Sequence, residues 1–184
     1  MKLGFIGAGE MGGAIIKGLL KSGWAKEDIR ASVHSPEFAQ RVVQEQGIAV
    51  GTDNRQTALW ADIVVIAVKP GVVPHVLPEI ASAGKKPVIC MALGWTVEKL
   101  QAALSGWPVI RIMPNTPLAL REGVTLFAFG KQVSAEVRQT AEGIFKRLGK
   151  TLELPENLFA AGTAVSGSGP AFVYAFIDAL AQAG

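Results

Sequence analysis

Phe5-Ile6-Gly7-Ala8-Gly9-Glu10-Met11-Gly12 is the stretch whose reading decides the fold. The apolar run Lys2 to Ile6 leads into it and predicts a first strand. Glu10 to Ser22 follows, with Met11, Ile15, Ile16, Leu19 and Leu20 at helical spacing. A G-x-G-x-x-G run between a strand and a helix is the setting in which backbone can cradle a dinucleotide pyrophosphate. Gly7 permits the tight turn, Gly9 lets the backbone approach the phosphates, and Gly12 lets helix and strand pack closely. The free N–H groups and partial positive charge of the helix N-terminus complete an anion site. The bland alternative is a glycine-rich turn that binds nothing.

Working outward, strands and helices alternate. Ile29 to Val33 reads as a strand, Pro36 to Gln46 as a helix opened by Ser35-Pro36, and Ile48 to Val50 as a brief strand. Asp62 to Val68 is the clearest strand. Its unbroken apolar, largely β-branched character fits the centre of a parallel sheet buried on both faces. Pro87 to Ala92, Pro108 to Met113 and Val124 to Phe129 read as further strands, and Thr151 to Leu154 closes the domain. Val72 to Ala81, Val97 to Leu104, and Ser134 to Leu148 read as helices, the last with Ser134 as N-cap. The pattern predicts an α/β fold: a doubly wound, mainly parallel Rossmann sheet over residues 1–154. After Pro155 the chain turns helical, from Glu156 to Ala164, then Ser166-Gly167-Ser168-Gly169, then Pro170 to Ala183. Residues 155–184 are therefore expected to be the start of an all-α domain, cut short. The last helix is apolar almost all round and so predicts a covering partner, a further domain or another subunit.

Composition narrows the function. Of 184 residues, 49% are hydrophobic and 18% charged, which favours a sheet with two buried faces. The net charge of +3 comes from scattered Lys and Arg with acids between them. No basic stripe with interleaved aromatics appears, so no nucleic-acid partner is expected. A lone Cys90 in an apolar run points to a reducing, cytoplasmic setting. No signal peptide is visible, and no apolar run reaches about 18 residues, so no membrane span is expected.

At the end of the second strand, Arg30 to Pro36 holds no acid, where an NAD-preferring domain usually carries one for the ribose hydroxyls. His34 and Ser35 can donate to a 2′-phosphate, with Arg41 nearby. NADP is the preferred cofactor and NAD stays open, as does a purely capping role for His34 and Ser35. His75 reads as a solvated helix residue. Ala67-Val68-Lys69-Pro70 ends the central strand on the side where open α/β sheets bind ligands, which places Lys69 to touch ribose or phosphate or merely to cap the strand. Met113-Pro114-Asn115-Thr116-Pro117 ends a later strand. Asn115 there can offer its amide to nicotinamide or substrate.

Together FIGAGEMG, AVKP at 67–70, MPNTP at 113–117 and SGSGPA at 166–171, followed by Asp178-Ala179-Leu180, resemble pyrroline-5-carboxylate reductase over the whole chain. The resemblance implies reduction of 1-pyrroline-5-carboxylate to L-proline with NAD(P)H, a small cyclic imino-acid substrate, and a homo-oligomer built through the helical domain. It implies that Ile6, Gly7, Ala8, Gly9, Glu10 and Met11 hold the pyrophosphate. His34, Ser35 and Asn54 would surround the adenosine ribose and its phosphate. Ala67, Val68, Lys69 and Pro70 would line the nicotinamide side, with Ala92 and Gly94 in a segment that usually reads S-x-A-A-G. Here Cys90 stands for the serine and Leu93 for an alanine. Substrate-pocket residues belong to a region not found here. No catalytic acid and no metal ligand are assigned, because hydride transfer to a protonated imine needs positioning and exclusion of water rather than an acid–base pair. Two rival readings are a cofactor-binding piece without activity and a β-hydroxyacid dehydrogenase, which shares the opening motif.

Overall fold

The computed structural model describes residues 1–184. Eight strands form one sheet: β1 (Leu3–Ile6), β2 (Ile29–Ser32), β3 (Ala49–Gly51), β4 (Ile63–Ile66), β5 (Val88–Cys90), β6 (Val109–Met113), β7 (Gly123–Phe129) and β8 (Gly149–Glu153). Their order across the sheet is β3-β2-β1-β4-β5-β6-β7-β8. Every neighbouring pair is parallel except β6 and β7. The chain reverses between those two because only a 3₁₀ turn, Thr116–Leu120, joins them. A parallel return needs a crossover of a dozen or more residues.

The helices are α1 (Glu10–Lys21), α2 (Pro36–Gln46), α3 (Asn54–Trp60), α4 (Val73–Ala81), α5 (Val97–Ala103) and α6 (Ala135–Lys146). They cover both faces. Leu3 and Phe5 of β1 point into one core with Ile15, Ile16 and Leu19 of α1. Ile6 points into the other, with Val73, Val76 and Ile80 of α4. Side chains alternate along a strand, so β4 supplies both cores: Ile63 and Val65 to one, Val64 and Ile66 to the other. That is the physical meaning of its unbroken apolar run.

Helix α3 is absent from the sequence reading. Asp53 caps it by accepting from the Gln56 N–H. At the edge of the domain the tail is one helical run rather than two helices separated by a serine-glycine break. It begins with a 3₁₀ turn at Glu156–Leu158, continues as α7 (Phe159–Gly162), widens to a π turn at Thr163–Gly167, and ends as α8 (Gly169–Ala183). Pro170 lies in the first turn of α8, where it was expected.

Candidate cofactor site

β1 lies between β2 and β4, and the chain leaves it into α1 on one side of the sheet. The strand order reverses here, and the carboxyl ends of the strands open a crevice. Gly7 turns the chain with φ of +96°. Its N–H donates to Ser32 O at 2.8 Å, and Ile6 O accepts from Ala67 N at 2.8 Å, so the turn is clamped to both neighbouring strands. A side chain at Gly7 would meet Ala67 O at 2.7 Å, and one at Gly12 would meet Gly7 O at 2.7 Å. Gly9 differs: a Cβ there would have no atom within 4 Å. It would project into open space at the mouth of the turn. Gly9 is the N-cap of α1 and offers no side-chain acceptor. The backbone N–H groups of Glu10, Met11 and Gly12 reach no acceptor in the protein. This open cradle of donors at the end of a three-turn helix fits a pyrophosphate.

At the β2 end the backbone passes Val33, whose N–H donates to Gly51 O, and turns into α2. Ser35 caps α2 by accepting from Phe38 N at 3.2 Å, so its capping role is real. The His34 and Phe38 rings lie 5.2 Å apart, and the Arg41 guanidinium sits 4.4 Å over the Phe38 ring. His34, Ser35 and Arg41 thus form one exposed polar corner, with Arg41 also within 3.8 Å of Glu45. Glu37 joins it. Hydrogen bonds from its own backbone N–H and from Ser35 hold its carboxyl below the usual range, helped by His34. The sequence reading for acids stopped one residue short of this carboxylate. Asn54 is the first residue of α3. Its Oδ1 accepts from Ser32 Oγ and its Nδ2 donates to Glu79, both at 2.6 Å. Glu79 of α4 has no counterpart in the sequence-based site.

On the far side of the turn, Ala67 and Val68 leave β4 half-buried, and Lys69 and Pro70 are exposed. The Lys69 ammonium makes no ion pair or hydrogen bond within the chain. Trp95 Nε1 donates to Pro70 O at 3.1 Å, tying this loop to the segment after β5. In that segment Ala92 is buried, and Gly94 has φ of +77° with its carbonyl held by Lys99. Leu93 is 61% exposed, so its extra bulk stands in solvent. Cys90 is fully buried at the end of β5. Burial pushes its thiol up to about 11, against the pull of the Ala92 backbone and the Arg111 charge.

Asn115 precedes the 3₁₀ turn that follows β6. Its side chain is 6% exposed; Oδ1 accepts from Val124 N at 2.8 Å and Nδ2 donates to Ser166 O at 3.0 Å. The amide expected to face a ligand is bonded inside the protein. It joins the ends of β6 and β7 to the tail. Nearby, the buried guanidinium of Arg111 pairs with Glu156 and lies 4.3 Å over the ring of Phe159. These contacts dock the first half of the tail. Beyond them α8 is bare: Phe172, Val173, Tyr174, Phe176, Ile177 and Leu180 are each more than half exposed.

Two family models match the chain. Residues 2–94 match NADP oxidoreductase, coenzyme F420-dependent, and residues 156–184 match the pyrroline-5-carboxylate reductase dimerisation domain. The chain is 37% identical to pyrroline-5-carboxylate reductase from Synechocystis sp., covering 100% of this chain and 70% of that protein. It is 35% identical to the Corynebacterium melassecola enzyme of the same name, covering 97% and 68%. The crystal structure of Plasmodium falciparum pyrroline carboxylate reductase with NADP bound superposes with a TM-score of 0.92 at 31% identity, over 100% of this chain and 68% of that one. Because Glu156–Ala183 is a single helix, it is long and apolar enough to cross a membrane by length and composition alone. The same residues, 156–184, are the ones that match the dimerisation domain.

Proposed function

The chain belongs to the pyrroline-5-carboxylate reductase family, and from that premise we propose that it reduces 1-pyrroline-5-carboxylate to L-proline with NADPH. The observation that carries this reading is the open donor cradle at Gly9, in a chain that also bears MPNTP and SGSGPA. When bound, the nicotinamide supplies a hydride.

The remaining work falls to this chain's own residues. The N–H groups at the start of α1 hold the pyrophosphate, with Ile6, Gly7, Ala8, Gly9, Glu10 and Met11 forming the turn around it. His34, Ser35 and Arg41 take the 2′-phosphate, with Asn54 beside the ribose. Glu37 opposes that phosphate, so the preference for NADPH over NADH is a balance between Arg41 and Glu37. Ala67, Val68, Lys69 and Pro70, with Ala92 and Gly94 across from them, line the nicotinamide side. Asn115 acts by holding structure rather than by touching the cofactor. The imine carbon receives the hydride and the nitrogen is already protonated, so no side chain has to move a proton in that step.

Residues 1–154 form the dinucleotide-binding domain, and residues 155–184 open the helical dimerisation and substrate domain. The apolar face of α8 supports assembly with a second copy. The lone Cys90 supports a cytoplasmic setting. Titration with NADPH and NADH, then addition of the cyclic imine while nicotinamide absorbance is followed, tests the proposal. NADPH binding with loss of absorbance on adding imine supports it. Oxidation of 3-hydroxy acids with the imine untouched would move the chain to the β-hydroxyacid dehydrogenases.

A further inference from the structure

The tail is fastened to the sheet along its first half only. Glu156 pairs with Arg111, and Phe159 packs with Met113, Leu126 and Ala128. At Gly162 the approach is so close that a Cβ would meet side-chain carbons of Leu126 and Leu154 at 2.7 Å each. From Ala171 onward every residue is exposed. The last hydrogen bond between sheet and tail is the one from Asn115 Nδ2 to Ser166 O.

The sequence explains why that carbonyl needs a partner. In an α-helix Ser166 O would accept from the N–H four residues on, and that residue is Pro170, which has none. The proline ring would also crowd the same carbonyl. The helix answers by widening: Ser168 N donates to Thr163 O at 3.0 Å, an i→i+5 bond, within the π turn Thr163–Gly167. Single π turns are frequent at functional sites. Asn115 then replaces the missing backbone donor with its own amide. Its other atom, Oδ1, is fixed by Val124 N, so the amide cannot flip without losing both bonds. The asparagine of MPNTP and the proline of SGSGP are two ends of one device.

We infer that Asn115 is a positioning residue for the reduction. Through the Ser166 carbonyl it fixes the joint at which the tail leaves the sheet, and so sets how the helical part stands over the strand ends that hold the nicotinamide. This rests on the reductase reading above. Arg111 of β6 and Glu156 of the tail are paired with each other, and Asp178, the tail's other charged side chain, accepts from Gln182 further along α8.

Asn115→Asp tests it almost atom for atom. The acceptor for Val124 N is kept, and the donor to Ser166 O is lost once the carboxyl ionises. At neutral pH the variant should bind NADPH within about twofold of wild type, because no cofactor contact is removed. Its kcat with the imine should fall about tenfold, and amide exchange across residues 163–171 should quicken by about the same factor, as suits one buried hydrogen bond lost. Lowering the pH protonates the carboxyl, restores a donor and should return kcat toward wild type. Pro170→Ala supplies the missing backbone N–H and should relieve the defect when combined with Asn115→Asp. Weakened NADPH binding would make Asn115 a direct cofactor contact and overturn the inference. Unchanged exchange at 163–171, or no relief from Pro170→Ala, would overturn it too. If wild type binds NADPH but leaves the imine untouched, the chain is a cofactor-binding piece without activity, and the exchange comparison still decides what Asn115 does.

Discussion

Replacing Gly9 by alanine separates cofactor binding from folding more cleanly than any other change in the glycine turn. Gly9 has φ of −70° and ψ of −161°, a conformation open to alanine. The new Cβ would touch no protein atom within 4 Å. Alanine caps a helix less well than glycine but also restricts the unfolded chain, so the net change in stability should stay within about 1 kcal/mol. For a chain of this size that shifts Tm by no more than about 4 °C. Binding should respond differently. A methyl group at the mouth of the cradle keeps a pyrophosphate from the N–H groups of Glu10, Met11 and Gly12. Hydrogen bonds to a charged partner are worth about 1.5 kcal/mol or more each, so losing two costs about 3 kcal/mol, a Kd roughly 150-fold weaker.

Gly12→Ala is the control with the opposite balance. Its Cβ would lie 2.7 Å from Gly7 O and 3.0 Å from the Ala67 Cβ. That overpacking should cost about 1–3 kcal/mol of stability and lower Tm by several degrees along with affinity. Fluorescence titration with NADPH and thermal melts on both variants read the two quantities separately. Trp95, bonded to Pro70 O, stands at the expected nicotinamide side as a reporter. Wild-type NADPH affinity in Gly9→Ala would refute the placement of the pyrophosphate over this turn.

Arg41→Ala should weaken NADPH about tenfold and leave NADH unchanged, while Glu37→Gln should tighten NADPH alone; the ratio of the two Kd values checks both. Cys90 should resist thiol reagents at pH 8 in the folded protein and react once the protein is denatured, because it is fully buried. Its folded pKa of about 11 lies above the ordinary 9.0, so the unfolded thiol ionises first and stability should fall as pH rises from about 9 to 11, by about 2–3 kcal/mol at most. Urea melts across that range should show the fall in wild type and not in Cys90→Ser. Light scattering should find self-association through α8, removed by Phe172→Glu together with Ile177→Lys; a wild-type monomer at high concentration would count against the tail as an assembly surface.

Much of the fold was legible because its cues are local. The glycine turn, the helical spacing in α1 and the apolar run of β4 each carry their meaning within a few residues. Helix α3 escaped because NRQTALW is short and lacks an apolar period, although Asp53 with Gln56 three residues on is a capping signal. The reversal at β7 was also present in the brevity of the Pro114–Glu122 connection, which leaves no length for a crossover helix. Strand ends drifted for a physical reason. Ala67 and Val68 continue the apolar pattern of β4 but leave the ladder to build the loop beside Gly7. Other parts of the site could not be read from the sequence. Glu79 reaches Asn54 from another helix, and Asn115 reaches Ser166 from the loop after β6. Asn115 bonds Ser166 O from 51 residues away, and an amide that satisfies a distant carbonyl looks in sequence like one free for a ligand.

These long-range contacts divide the chain's work in two. The cofactor half is built before any ligand arrives: the donors of α1 are unpaired, the turn is clamped between β2 and β4, and none of it leans on the tail. Binding of the dinucleotide should therefore tolerate any change in the tail. The helical half has the opposite character. Its first turns are locked by the pair of buried Arg111 with half-buried Glu156 and by a glycine packed to contact, and one amide ties the wide turn beyond them to the end of β6. Misplacing reacting atoms by about 1 Å can cost about 100-fold in rate, so on the proposal above orientation at that joint matters for transfer. A proline that removes a helix donor, with an asparagine in the loop after β6 to replace it, ties the angle of the tail to the end of β6. A plain α-helix, satisfied by its own backbone, would have left that angle to the packing of α8 alone.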